Sequence, residues 1–547
     1  MIRLQLSACI TFLLISFLSF AQDKVNDDES SSYNKNKPAR EEWLRNTNSG
    51  MFIHFSADAQ LGVVISHTLV GASDDYVKRY FTELPETFNP TKFDPTEIAT
   101  LAKLAGMKYI MFTTKHHSGF CMWDTKTTPF NIMNTPYHKD LLKEFVDATR
   151  KAGLQVGFYF SPEDFNFLYN HHLPISRDNV VMNDAVKKDF NDFTRKQCEE
   201  LMTNYGKIDL LFIDGEPKEV VKETCWKLQP DILITRGALK TPEQMLPGVT
   251  VTDPWLSCIT MGTAWQFQPT NDRYKSGTKL IELLIEARSK GGSLLLNIGP
   301  KANGAIADEQ ENRLREMAAW YFINREAIDS VRSWVINKEN NIWYTKALST
   351  NTVYAIVPSA ASWPEGERKE IILHAAKSTP AAKISVLGQN SLLQEYKPGK
   401  DVSCRFRQTD SGLVVSVVKA QRIYDDHKWP NPIVIKLENI EPTIKPLQLT
   451  TSIAKPVAEK QATLNGSIAN YKNYKKLTAY FDYREYNGQT EDLYGGNWTR
   501  SAPVVPGADG NFTTTIKNLT KGKRYEYKAV VIYSQVPIDG DKKVWQQ

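Results

Sequence analysis

The sequence has few cysteines, and their spacing gives them no structural role. Six cysteines occur in 547 residues, and five of them lie beyond the first 21: Cys121, Cys198, Cys225, Cys258 and Cys404. None belongs to a C-x-x-C pair, which argues against a structural zinc site, and an odd number argues against a disulfide framework. We therefore expect mostly buried free thiols.

Two further absences exclude classes of function. The net charge is only +5 and no long basic run is present, so nothing in the sequence indicates nucleic acid binding. Beyond the N-terminal segment, no apolar stretch is long enough to span a bilayer. A chain of 547 residues with 41% hydrophobic and 24% charged residues predicts a globular protein of two or three domains.

The N-terminal segment is the only long apolar run. Arg3 precedes an apolar stretch that ends at Phe20, and Ser19 and Ala21 occupy the −3 and −1 positions of a cleavage site. This pattern predicts a signal peptide over residues 1–21. We expect export in soluble form to the periplasm or the extracellular space, and a flexible polar leader over residues 22–40.

Apolar runs alternate with amphipathic helical segments between residues 41 and 335. The predicted strands are 50–55, 108–113, 154–161, 208–214, 231–236, 249–258 and 293–299. The predicted helices are 95–105, 141–151, 183–205, 220–227, 278–289 and 308–330. The alternation predicts an α/β fold, a (β/α)8-like TIM-type barrel. One strand has no clear signal between residues 259 and 292.

The pattern changes after residue 335. Short strands separated by turn residues predict an antiparallel β-sandwich over residues 336–441. From residue 442 to residue 547, segments such as 462–466 and 525–531 resemble a fibronectin type III-like β-domain.

One predicted strand ends in an acid followed by a glycine. Residues 210–213 are apolar, as in a strand buried on both faces, and Asp214 and Gly215 follow. Because the carboxyl ends of barrel strands are where chemistry is placed, Asp214 is a candidate catalytic carboxylate. A helix-capping aspartate is the alternative interpretation of this run.

Three histidines follow two other predicted strands. His54 ends the first strand, and His116 and His117 follow the second. Adjacent histidines without an i,i+2 or i,i+4 partner are poorly spaced for chelation, so we expect no metal and no other cofactor. Neutral imidazoles that hydrogen-bond several hydroxyl groups fit better, and a sugar offers such hydroxyls.

Several collinear segments resemble the family-29 glycoside hydrolases, the α-L-fucosidases. They are Phe52-Ile53-His54 and residues 109–120, 157–161, 210–215, 241–244 and 289–300. The T-T-K-H-H run and the S-K-G-G to L-L-L-N-I-G-P run are the most specific. The resemblance implies a metal-independent retaining exo-glycosidase with Asp214 as nucleophile. It implies sugar binding by His54, His116, His117, Tyr159 and Arg236.

The sequence departs from this family where the acid/base residue is expected. Many members have a Trp-Glu pair where this chain has Trp255-Leu256, and a leucine cannot donate a proton. Glu243 is the leading candidate for the acid, ahead of Asp253 and Glu216. A helix-start glutamate stabilised by the helix dipole is the alternative for Glu243.

The role of two tryptophans and the identity of the substrate also have more than one interpretation. Trp255 and Trp265 either stack on the apolar face of the sugar or fill the core, and we predict stacking for Trp255. The substrate is expected to be a fucosylated oligosaccharide or polysaccharide. An α-L-galactosidase acting on an L-galactose-containing polysaccharide is one alternative, and an inactive glycan-binding protein, suggested by Leu256, is another.

Overall fold

The structure is a computed structural model of the 547-residue chain. It describes residues 33–177, 180–358, 363–364, 366–390, 392–393, 400–418, 432–474, 477–486 and 497–547. The predicted signal peptide and residues 22–32 of the predicted leader lie outside the described residues. In the described ranges, no helix combines the length and the apolar composition that a membrane span requires.

Seven parallel strands form a curved sheet in the N-terminal part. They are β1 (Ser49–Ile53), β2 (Tyr109–Lys115), β3 (Gln155–Phe160), β4 (Leu210–Ile213), β5 (Leu233–Ile234), β6 (Leu256–Thr260) and β7 (Ser293–Ile298). Their order across the sheet is β5-β4-β3-β2-β1-β7-β6. The predicted fold class, a barrel of parallel strands alternating with helices and followed by β-domains, is confirmed.

Helices connect and cover these strands. They are α1 (Pro38–Asn46), α2 (Asp74–Thr87), α3 (Pro95–Leu104), α4 (Leu141–Lys151), α5 (Phe165–Asn170), α6 (Asp184–Thr203), α7 (Lys218–Leu228), α8 (Gly277–Ser289) and α9 (Asp308–Asn324). All six predicted helices are present, although α9 ends six residues before its predicted end, whereas α1, α2 and α5 were not predicted. Asn183 caps α6 by accepting a hydrogen bond from the Val186 amide, because its side chain replaces a missing helical acceptor.

Side chains of β4 show how the strands separate two apolar regions. Leu210 and Phe212 belong to a cluster inside the barrel. Leu211 and Ile213 belong to the larger cluster between the strands and the helices. Successive side chains of a strand point to opposite faces, so a continuous apolar run is what a strand buried on both faces requires.

The predicted eighth strand is absent from residues 259–292, all of which the structure describes. Instead, a short extended segment after β5 lies beside β6, with parallel bridges between Lys240 and Trp255 and between Glu243 and Cys258. Pro242 interrupts this segment and has no N–H to donate to a strand ladder. The barrel is therefore closed by a two-bridge contact instead of a regular strand.

The last part of the predicted leader, from residue 33 onward, packs on the barrel. The side chain of Asn36 makes two 2.8 Å hydrogen bonds with the backbone of Ile234 in β5. Lys37 forms a 2.6 Å ion pair with Asp231. These contacts cover the edge of β5 much as a neighbouring strand would.

The β-sandwich follows the barrel. Its strands are β8 (Val331–Glu339), β9 (Ile342–Ala347), β10 (Thr352–Val357), β11 (Arg368–Leu373), β12 (Ala376–Val386), β13 (Leu392–Leu393), β14 (Lys400–Asp401), β15 (Arg405–Thr409), β16 (Gly412–Val418) and β17 (Ile433–Pro442). A five-stranded sheet, β12-β17-β10-β9-β8, and a three-stranded sheet, β11-β16-β15, share one core. The first strand begins at Val331, inside the range predicted for the barrel.

The C-terminal β-domain has its own core. Its strands are β18 (Leu449–Ala458), β19 (Gln461–Ile468), β20 (Leu477–Glu485), β21 (Thr499–Arg500), β22 (Asn511–Ile516), β23 (Arg524–Tyr533), β24 (Val536–Asp539) and β25 (Lys543–Gln546). The turn between β24 and β25 reaches the barrel, where the Gly248 amide donates a 3.0 Å hydrogen bond to Asp541. This contact supports the loop between Glu243 and β6.

Candidate active site

The carboxyl ends of the first four barrel strands bring titratable side chains together. His54 follows β1, His116 and His117 follow β2, and Asp214 follows β4. Tyr159, on β3, stacks on His116 with ring centroids 5.4 Å apart. Because parallel strands all end at one edge, residues far apart in the chain meet there.

Four side chains surround the carboxylate of Asp214. Its Oδ2 atom accepts a 2.8 Å hydrogen bond from the Tyr159 hydroxyl and lies 3.6 Å from Nε2 of His117. Its Oδ1 atom lies 3.4 Å from the Arg177 guanidinium and 3.5 Å from that of Arg236. The carboxylate side chain is 19% exposed, so it is surrounded by donors but still partly accessible.

These neighbours keep Asp214 ionised. Burial alone would raise the pKa of Asp214, but His117, Arg236, Arg177 and the Tyr159 hydroxyl outweigh it and hold the pKa well below its usual range. An anion that is stabilised yet accessible is what a nucleophilic carboxylate needs.

The three predicted histidines are each oriented through Nδ1. The hydrogen-bond partners of Nδ1 are Asn297 Oδ1 for His54 (2.7 Å), Ser66 Oγ for His116 (2.9 Å) and Ser161 Oγ for His117 (2.7 Å). The other ring nitrogen of His117, Nε2, faces Asp214 at 3.6 Å. Burial lowers the pKa of His54 to about 4 and that of His116 well below its ordinary value, so both rings are neutral near pH 7.

Arg236 connects the two predicted catalytic carboxylates. One guanidinium nitrogen lies 3.5 Å from Asp214 Oδ1, and the other donates a 2.8 Å hydrogen bond to Glu243 Oε2. The guanidinium lies over the ring of Phe212, 4.6 Å from its centroid. The structure thus brings Asp214 and Glu243 to opposite ends of one rigid cation.

Glu243 is held in place by its neighbours in the extended segment beside β6. The Cys258 amide donates to the Pro242 carbonyl (3.0 Å), and the Gln244 amide donates to the Cys258 carbonyl (2.9 Å). No helix begins in residues 240–255, all of which are described. The alternative interpretation of Glu243 as a helix-start glutamate is therefore wrong.

A third carboxylate, which the sequence patterns above did not single out, also lies in the site. Glu163 Oε2 lies 3.0 Å from His117 Nδ1 and 2.9 Å from Arg177 Nε. Glu163 comes three residues after β3, so the strand-end pattern that indicated Asp214 would also have found it. Arg177 lies in the irregular connection between α5 and α6, where no sequence pattern marks it.

Trp255 and two of the candidate acids do not belong to the site. Trp255 precedes β6, is 0% exposed and packs over Gly292, so its prediction as a sugar-stacking residue is wrong. Asp253 precedes the same strand and is exposed. Both stand at the amino end of β6, opposite to the edge that carries Asp214. Glu216 pairs with Lys218 at 3.1 Å, and its side chain is 67% exposed.

Trp265, the other candidate tryptophan, lies in the site instead. Its ring is 4.9 Å from that of His54, and its carbonyl accepts a 2.6 Å hydrogen bond from Asn297. Leu256 belongs to the cluster inside the barrel, as does Cys258 two residues on. Cys258 contacts Arg236. Leu256 points to the same face of β6 but stands two residues nearer the amino end of the strand, so it lies deeper in the barrel than the site residues.

A fourth histidine, His67, completes a cluster of imidazoles. It begins a short 3-10 turn, His67–Leu69, and its ring is 5.8 Å from that of His116 and 5.6 Å from that of His117. Burial lowers its pKa to about 4. Nitrogens of these three residues lie within 4.8 Å of one another. Local sequence spacing does not reveal this cluster, because His67 is distant in the chain from the histidine pair.

The neutral state of His54 predicts that stability depends on pH. The pKa of about 4 lies below the ordinary value of 6.5, so unfolding takes up a proton between these values and stability falls as pH falls through this window. At about pH 5 this one group accounts for a loss of about 2 kcal/mol. The barrel Tm of His54→Asn should therefore fall less than that of the parent protein between pH 7 and pH 5. Equal losses would contradict the low pKa.

The known proteins that this chain resembles in sequence and in structure share one description. The family model described as alpha-L-fucosidase matches residues 17–326, more than half of the chain. Alpha-L-fucosidase of Branchiostoma floridae is 27% identical over 350 residues, 57% of this chain and 75% of the relative. Tissue alpha-L-fucosidase of Homo sapiens is 29% identical over 58% of this chain and 72% of its own length. Among solved structures, alpha-L-fucosidase isoenzyme 1 from Paenibacillus thiaminolyticus superposes with a TM-score of 0.59 at 28% identity, covering 74% of this chain and 99% of that chain.

Proposed function

Because this chain belongs to the alpha-L-fucosidase family, we propose that it is an exported hydrolase that removes terminal α-L-fucosyl residues from glycans with retention of configuration. The relatives that support the substrate class are themselves named alpha-L-fucosidases. The observation that carries the mechanism is the placement of Asp214 and Glu243 on one guanidinium, that of Arg236. We propose Asp214 as the nucleophile and Glu243 as the acid/base.

In the first step, Asp214 attacks the anomeric carbon while the bond from that carbon to the aglycone oxygen breaks. Glu243 delivers its proton to the departing oxygen. A retaining glycosidase places its two carboxyl groups about 5–5.5 Å apart, and a shared arginine holds two such groups near each other without contact. The product of this step is a fucosyl ester of Asp214.

In the second step, a water molecule attacks the same carbon and releases Asp214. Glu243, now a carboxylate, accepts the proton of that water, which returns both groups to their starting states. The Glu243 side chain is 42% exposed without a ligand. A bound glycoside would cover it.

The imidazoles and aromatic rings of the pocket are proposed to bind the sugar. His54, His116 and His117 each have Nδ1 engaged by the protein, so Nε2 is available to hydroxyl groups. Trp265, packed on His54, is the aromatic surface available to the apolar face of the sugar. The reaction as written uses no metal ion and no other cofactor.

A substrate panel tests this function. We expect hydrolysis of 4-nitrophenyl α-L-fucoside with a kcat/KM at least about 10-fold above that of the α-L-galactoside, since a site that binds fucose would have to accept an extra hydroxyl group on L-galactose. Proton NMR of the first product should show the α-anomer. Preference for the galactoside would support the α-L-galactosidase alternative. Binding of L-sugars without turnover of any substrate would support the glycan-binding alternative.

A further inference from the structure

Three histidines from two separate segments surround one small space beside Asp214. His116 and His117 are buried at the end of β2, and His67 approaches from the short turn after β1. Their nitrogens lie within 4.8 Å of one another. Three imidazoles that converge in this way form a common ligand set for zinc.

The two buried rings have the outer contacts that metal-binding histidines use. Nδ1 of His117 lies 2.7 Å from Ser161 Oγ and 3.0 Å from a carboxylate oxygen of Glu163. Because a carboxylate can only accept, Nδ1 of His117 donates toward Glu163, and Nε2 faces Asp214. Nδ1 of His116 is likewise bonded, to Ser66 Oγ. A histidine held by a carboxylate in this way orients its other nitrogen toward a metal.

Asp214 supplies an oxygen close to one of these histidines. Its Oδ2 atom is 3.6 Å from Nε2 of His117. Ligand atoms about 2.0–2.1 Å from a tetrahedral zinc ion are roughly 3.4 Å apart, so this pair already has nearly the required separation. His67 is the least buried of the three histidines.

We propose that His67, His116, His117 and Asp214 form a zinc site that overlaps the sugar pocket. An ion there would engage Nε2 of His117 and an oxygen of Asp214, the atoms that the proposed reaction uses. Zinc and substrate would then exclude each other, so zinc would be a reversible inhibitor. This inhibitory part rests on the proposed function, whereas the binding part does not.

Binding is tested by calorimetric titration of Zn²⁺ alone into the full chain. The protein carries no histidine tag and is first freed of metal with EDTA; in this form it should keep its hydrolytic activity, as a metal-independent enzyme would. We expect saturable binding of one zinc ion. His67→Asn should weaken it by about 10-fold or more, since loss of even an outer-shell partner costs about 10–100-fold.

His172→Asn is the matched control. His172 is exposed and has a positive φ of 55°, a conformation that asparagine tolerates. It should bind zinc as the parent protein does. A loss of affinity shared by both variants, or by neither, overturns the assignment of the site.

Competition tests the overlap with the sugar. Saturating L-fucose should weaken zinc binding, and zinc should raise the KM for 4-nitrophenyl α-L-fucoside without lowering kcat. Zinc that binds through His67 but leaves both L-fucose affinity and KM unchanged would overturn the overlap. If the chain hydrolyses no fucoside, the proposed function fails, and the titrations of the two histidine variants still decide whether the zinc site exists.

Discussion

Asp214→Asn should lower kcat by about 10³-fold or more while the protein still folds. The amide keeps the size of the side chain and still accepts the hydrogen bond from Tyr159, but it has no negative charge with which to attack the anomeric carbon. A loss of this size is roughly 4 kcal/mol of activation free energy. A capping or packing role for Asp214 could not account for it. Turnover of 4-nitrophenyl α-L-fucoside and the circular dichroism spectrum measure the two parts of the prediction.

A second variant, Asp214→Ala, identifies the face of the sugar ring from which Asp214 attacks. Asp214→Ala leaves space beside the anomeric carbon, so added azide should restore turnover and give β-L-fucosyl azide, with inverted configuration. Glu216→Gln is the control, because Glu216 is an exposed acid two residues away and paired with Lys218; its activity should stay within about twofold. Near-normal turnover by folded Asp214→Asn would show that another group is the nucleophile.

Glu243→Ala should affect substrates according to their leaving groups. Fucosides with poor leaving groups need a proton on the departing oxygen, and we expect their kcat/KM to fall by about 10²–10⁴-fold. Activated substrates such as 4-nitrophenyl fucoside should form the fucosyl ester of Asp214 almost normally. Its hydrolysis should then become slow, because water has lost its base. A burst of 4-nitrophenol followed by slow turnover is the expected time course.

Azide distinguishes this role from that of Asp214. It attacks the fucosyl ester without base assistance, so the Glu243→Ala variant should recover turnover and give α-L-fucosyl azide, with retained configuration. Asp253→Ala is the matched control, since Asp253 is exposed at the other end of β6, and it should behave as the parent protein. Equal damage to all substrates, with no azide product, would exclude Glu243. Glu163, the third carboxylate of the site, would then be tested next.

The strand-end residues were accessible from the sequence alone. A run such as Leu210–Ile213 is apolar on both faces, which only a strand buried in a parallel sheet requires. The residue that follows such a strand lies at the edge where other strands also end. The strand pattern by itself therefore predicts that Asp214, His54, His116 and His117 meet. The sequence also carried the motifs of the alpha-L-fucosidase family, and that resemblance is confirmed.

Only the tertiary structure determines which residues from other segments reach this edge of the sheet. Glu243 meets Asp214 only because the segment beside β6 closes the barrel and Arg236 spans the gap. His67 and Arg177 come from irregular connections, whose paths depend on packing against the whole barrel and leave no periodic pattern. Trp255 shows the converse: its residue type suited a sugar site, but it stands at the opposite end of its strand. Local patterns determine where a strand ends, whereas the closure of the sheet determines which distant side chains reach that end.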